Sequence, residues 1–315
     1  MLAAVALVAG VIWTHRPATP KVSAAAAPQS SAAPLRLVSS STAVASSPSR
    51  AYAAPAPSVA LADIPAAAAR LLNVIGGDDA LIIQAPGSQP LVSINPDAVL
   101  PSASLYKLGV MAAIYQAAAA RTISLDQQLT ITQDEVDFYG DAPATAAGTT
   151  LTVREALRRM IQVSDNSAAG ALIDLVGYDA VNAAFGANGM PHSHLGNPPD
   201  SDQRSEAETT AADQAAFFNR LVNGKVVSPT ASGEMLTTLE GQQENDRLPA
   251  MLPPGTTVAH KTGELDGVRN DSGIIFTPNG PIIISVLVSN QPEVAGTLQG
   301  EAQIGLLAFQ ALPSR

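Results

Sequence analysis

Apolar residues at three- and four-residue steps in IPAAAARLLNVIG (64–76) predict a helix that Gly76 and Gly77 stop. Short apolar runs follow in DALIIQAP (79–86) and PLVSIN (90–95), read as two strands joined by the turn-rich PGSQ. The middle of the chain returns to helical spacing. In LTVREALRRMIQ (151–162), Thr152 and Glu155 have capping-box spacing, and Val153, Leu157, Met160 and Ile161 form one apolar face. SAAGALIDLVG (167–177) predicts a second helix stopped by Gly177, and TAADQAAFFNRLVNG (210–224) a third ending at Gly224. Near the end, TTVAHKTG, NDSGIIF and PIIISVLVS are strand-like, with PNG (278–280) as a hairpin turn between the last two and a closing helix over 294–311. Two strands, a long helical middle, three strands and a helix predict one antiparallel sheet built from both ends of the chain. The helical middle, approximately 101–240, forms a separate lobe, with a cleft between the lobes.

The first 58 residues follow other rules. LAAVALVAGVIW (2–13) is apolar and uncharged, short for a membrane span and suited to the core of an export signal. Its basic flank is misplaced, because His15 and Arg16 follow the stretch rather than precede it. Residues 1–16 are therefore read as a signal peptide or signal anchor, and the Ala-, Ser- and Pro-rich 17–58 as an extended tether. The folded domain is expected over 59–315, on the outer side of the plasma membrane, with contact to the membrane only through the N-terminal segment. A net charge of −10 and the lack of a basic cluster argue against nucleic-acid partners. The chain has no cysteine, which removes disulfides and thiolate chemistry.

Lysine is rare: Lys21, Lys107, Lys225 and Lys261 are the four present. Lys107 lies in the apolar SLYKLGVMAAIYQAAAA (104–120), three residues after Ser104. On a helix these two share a face, so the amine can reach the hydroxyl. Serine is a weak nucleophile without a base beside it, and a lysine whose pKa burial lowers can be that base. Ser-x-x-Lys is a short pattern that also arises by chance, but SDN (164–166) between two helices and HKTG (260–263) on a strand accompany it in order.

Together these motifs resemble the serine penicillin-recognising enzymes, most closely the class A β-lactamases. TLTVREALRRMIQVSDNSAAGALIDLVG (150–177) is similar to that family's helix–SDN–helix segment along its whole length, and the likeness covers about residues 59–315. It implies a two-lobed α+β fold with a five-stranded antiparallel sheet flanked by helices. It implies Ser104 as the nucleophile that opens a lactam ring, Lys107 as the group that takes or relays its proton, and Ser164 as proton donor to the leaving nitrogen. Asn166 would bind the substrate's amide side chain, and Lys261 and Thr262 its carboxylate. Gly263 would let substrate lie along the strand edge, and the backbone N–H groups of Ser104 and Glu264 would form the oxyanion hole. Asp165 would hold its own loop, and Tyr139 could wall the cleft. No metal or cofactor is implied, and a monomer is expected.

The family's loop glutamate, in a motif like Glu-x-Glu-Leu-Asn, has no counterpart in GMPHSHLGNPPDSDQRSEAETTAAD (189–213). Asp200, Asp202, Glu206 and Glu208 are the carboxylates there. Counting forward from SDN points to Asp200 as a deacylation base, whereas counting back from TTAAD points to none. His192 and His194 read as loop histidines without partner metal ligands. Arg269 could contact a substrate carboxylate, or pair with Asp266 or Asp271. The leading expectation is a class A β-lactamase-like hydrolase acting on β-lactams. The alternatives are a D-Ala-D-Ala peptidase or slow-turnover acylating enzyme acting on peptidoglycan peptides, and a non-catalytic cell-wall binding domain.

Overall fold

The predicted first helix forms as α1 (Ile64–Ile75), burying Ile64, Ala68, Leu72 and Ile75 on one face. Gly76, at φ +73°, ends it and returns its N–H to the Leu72 carbonyl. The computed structural model describes residues 61–139, 144–196 and 207–312, all within the unit Pro55–Arg315. The N-terminal signal and tether readings therefore lie outside the described residues.

Two strands follow, β1 (Asp78–Gln84) and β2 (Val92–Ile94), then the two-residue β3 (Leu100–Pro101). The helical lobe holds α2 (Lys107–Ala119), β4 (Gln128–Thr130), α3 (Gln133–Tyr139) and β5 (Thr150–Thr152). It continues through α4 (Val153–Gln162), α5 (Asn166–Val176), α6 (Tyr178–Ala187), β6 (His194–Leu195), β7 (Ala207–Thr209), α7 (Ala211–Val222) and α8 (Pro229–Glu240). The chain returns through β8 (Val258–Leu265), β9 (Val268–Thr277) and β10 (Gly280–Ser289), and closes with α9 (Val294–Gln310). The main sheet has the order β2-β1-β10-β9-β8, with every neighbouring pair antiparallel. Strands from the first and last parts of the described residues thus build one sheet, as predicted. At PNG, Thr277 pairs with Gly280 around a two-residue turn.

β1 and β10 read as largely apolar runs because both faces are covered. Leu81, Ile83, Ile282, Ile284, Val286 and Val288 pack with α1 and α9 on one face. Their alternate neighbours Ile82, Ile283 and Leu287 join the core of the helical lobe on the other. The contact between α9 and α1 is close: a Cβ on Gly300 would fall 2.4 Å from Ile75 Cγ1.

In α2, residues 107 to 115 are buried without a break, so this helix is the axis of its lobe. α3, α6 and α8 escaped the sequence reading. In α6, ten residues follow directly on the Gly177 that caps α5, without a polar break to announce a second helix. For α8 a signal existed: Ser228 caps it, accepting from Ala231 N, and Pro229 stands at its first position.

Candidate active site

The start of α2 lies against the edge strand β8. Ser104 falls in a short 3₁₀ turn (Ala103–Tyr106), and the α-helix begins at Lys107. Ser102 N–H donates to the Ala207 carbonyl at 2.7 Å, which joins this turn to β7. Asn270 on β9 donates from Nδ2 to the carbonyls of Pro101 (2.9 Å) and Ser102 (3.1 Å). Ala103 is held at φ +45°, a backbone state uncommon outside glycine, immediately before Ser104.

Gly263 fits this contact for a reason the sequence did not supply. A Cβ there would stand 2.8 Å from the Ser102 carbonyl oxygen and 3.3 Å from Ser104 N. Its missing side chain makes room for the turn that carries Ser104, where the resemblance had suggested room for substrate.

Ser164 sits between α4 and α5 at φ +58°. The Asp165 side chain caps α5, accepting from Ala168 N at 2.9 Å, and also accepts the Thr145 hydroxyl, so this residue holds its loop as expected. Asn166 begins α5.

Lys107 and Lys261 are both fully buried, and they converge on one atom. Each amine donates to Ser164 Oγ at 3.1 Å. Lys107 Nζ also donates to the Ser164 carbonyl and to Asn166 Oδ1, both at 2.7 Å. Lys261 Nζ donates to the Thr262 carbonyl at 2.8 Å. The expected hydrogen bond between Lys107 and Ser104 does not form, and the Ser104 side chain makes none among the described residues. A carbonyl and a carboxamide oxygen are the better acceptors for an amine, and they hold it.

Burial, then repulsion from Lys261, drives the Lys107 amine well below its ordinary value against the pull of Glu244 and Asp165. Burial likewise lowers Lys261, to about 8, against the attraction of Glu244 and Asp271.

Glu244 is the residue that sequence reasoning missed. Its Oε2 accepts the Thr262 hydroxyl, and it is half-buried beside both lysines. Burial raises its carboxyl, but Lys261, the Thr262 hydrogen bond, Arg247 and Lys107 outweigh this and hold it below the usual range. In sequence it is one acid in the polar QQEND, with no spacing that ties it to any motif.

Arg247, also missed, is buried and donates to Glu264 Oε2 at 2.7 Å, with the buried Glu301 at 3.7 Å on its other side. Burial pushes the Glu301 carboxyl well above the carboxylate range against the pull of Arg247.

Arg269 corrects an expectation. It pairs with neither Asp266 nor Asp271, and its guanidinium is not free for a substrate. It holds Glu264 Oε1 at 2.9 Å and the carbonyls of Leu265 and Val268 at 2.7 Å each. The tight β8–β9 turn puts Glu264 directly opposite Arg269, which decides the pairing. The Glu264 side chain is thereby fixed between two arginines.

Asp200, Asp202 and Glu206 lie outside the described residues, as does the side chain of Tyr139. Glu208 is exposed on β7, opposite the exposed His194. His192 is tied to the loop by its N–H to Asp213 Oδ2, at 2.8 Å.

The model of the β-lactamase enzyme family matches residues 67–312. The β-lactamase FAR-1 of Nocardia farcinica is 29% identical over 180 residues, which are 54% of this chain and 57% of that protein. A β-lactamase of Streptomyces albus G is 27% identical over 236 residues, 68% of this chain and 73% of its own. Among solved structures, a β-lactamase from Sphaerobacter thermophilus superposes with a TM-score of 0.71 at 31% identity, covering 80% of this chain and 98% of that one.

Proposed function

The chain belongs to the β-lactamase enzyme family and has the serine β-lactamase fold, and from that premise we propose that it opens β-lactam rings through an acyl-enzyme on Ser104. The observation that carries the reading is the meeting of two buried lysine amines on Ser164 Oγ, one from the start of α2 and one from β8.

Lys107, whose amine burial drives well below its ordinary value, takes the proton of the Ser104 hydroxyl as Oγ bonds to the lactam carbonyl carbon. The backbone N–H groups of Ser104 and Glu264 stabilise the oxyanion. The C–N bond then breaks. Ser164 supplies the proton to the leaving nitrogen, and Lys107 returns one to Ser164. With both lone pairs of Ser164 Oγ accepting from the lysines, its own O–H is left to donate. Lys261 and Thr262 orient the substrate carboxylate, and Asn166 the amide side chain. Water then cleaves the ester. Asp200 remains the sequence candidate for activating it. Export to the outer side of the membrane, by way of residues 1–16, completes the reading.

Intact mass of the protein followed after mixing with a penicillin tests this directly. An adduct that appears, then decays to free enzyme, and is absent in Ser104→Ala is the expected result. A persistent adduct moves the reading to a slow acylating enzyme, and turnover undiminished in Ser104→Ala sinks it.

A further inference from the structure

Thr262 and Lys261 are the groups proposed to hold a substrate's carboxylate, yet a carboxylate of this chain is already on Thr262. The Thr262 hydroxyl donates to Glu244 Oε2, and the charge of Glu244 acts on both Lys261 and Lys107. The segment that carries Glu244 is built into place. Gln242 Nε2 donates to the Ile161 carbonyl and Gln243 N–H to the Gln162 carbonyl, both at 2.9 Å, which fastens it to the end of α4. Gln242 Oε1 accepts the Glu244 N–H at 3.1 Å. Asn245 Oδ1 meets His260 Nε2 at 3.2 Å, fastening the segment to β8 as well. Arg247 follows, buried and paired with Glu264. A surface acid that met Thr262 by chance would not have anchors on both sides.

We propose that Glu244 occupies the anion seat of this site and competes with the carboxylate of an incoming substrate, which makes it a specificity-determining residue. An anionic lactam must displace Glu244 from Thr262 and approach its charge. A neutral lactam of the same shape has no negative charge to bring there. The chain therefore discriminates against anionic substrates by a repulsive element of its own. This rests on the acyl-enzyme reading for the identity of the substrate. Lys261, the Thr262 hydrogen bond and Arg247 hold the Glu244 carboxyl below the usual range against its burial, so it is ionised at neutral pH, as the competition needs.

The rival role is that of a counter-ion keeping the two buried lysines charged, and it moves affinity the other way. Without Glu244, Lys261 would lose charge and bind an anion less well.

The test is equilibrium binding by the full chain of a penicillin and of its methyl ester, with Ser104→Ala in the background so that no acylation intervenes. Adding Glu244→Gln should tighten the acid about tenfold or more, the scale of one charge-assisted hydrogen bond, and change the ester less than about twofold. Glu244→Ala should do the same and replaces Glu244→Gln if that variant does not fold. Weaker or unchanged binding of the acid overturns the proposal. So do equal changes in acid and ester, or no binding of either by any variant. Since the readout is binding, it stands apart from the mass experiment: failure to acylate in the wild-type chain would sink the acyl-enzyme reading and leave this result intact.

Discussion

Lys107 is a buried cation-forming group at the first position of a buried helix, and three acceptors offset the cost of placing it there. Lys261, equally buried, is proposed for a different task, and its pKa gives that task a test. At about 8, it is a cation below that pH and neutral above it. A substrate carboxylate held by Lys261 is therefore released as pH rises through that value. We expect KM for a penicillin to climb between pH 7 and pH 9 while KM for its methyl ester stays level. The two KM–pH profiles decide it, and a flat profile for the acid would mean that Lys261 does not hold the carboxylate. Ser-x-x-Lys, SDN and HKTG were legible as residues because they are contiguous patterns. Glu244 and Arg247 were not, because nothing in a polar loop distinguishes the acid that meets Thr262 from one that meets water. Arg269 was legible as a cation only. Its partner followed from the β8–β9 register.

Between elements, the contact that decides the site is β8 against the turn before α2. Gly263→Ala puts a methyl group 2.8 Å from the Ser102 carbonyl oxygen, and backbone yields less readily than a side chain. The expected cost is about 1–3 kcal/mol of stability, with the Ser104 turn displaced. Adduct formation followed by mass should slow by at least about tenfold, since sub-ångström placement governs attack. An unchanged rate would show that the strand slides away without moving Ser104. The helices that could be read from sequence were those with amphipathic faces or caps, such as α4, where the Thr152 hydroxyl accepts the Glu155 N–H at 3.1 Å. α2 has no polar face to read, because it is buried all round, and the sequence showed it only through the lysine.

For the whole molecule, residues 17–58 hold little apolar surface to pack, and the family match begins at residue 67. Removing residues 1–54 should leave the acylation rate and the denaturation midpoint of the remaining chain within error of the full chain. A lower midpoint, read by urea titration, would give the tether a structural part. No helix among the described residues is long and apolar enough to cross a membrane.

The sequence by itself determined the five strands of the main sheet and their antiparallel joining, the helices with legible faces, caps or stops, and the residues of the three motifs. Each of these is written in local periodicity or contiguous pattern, and local physics suffices to express it. Only the tertiary structure decided which groups meet. It brought two lysines, 154 positions apart, onto one serine hydroxyl. It gave Gly263 to the Ser104 turn, paired Arg269 with Glu264, and set Glu244 on Thr262. Those pairings depend on register, close backbone approach and competition among acceptors in a buried space, and no stretch of the chain carries them alone.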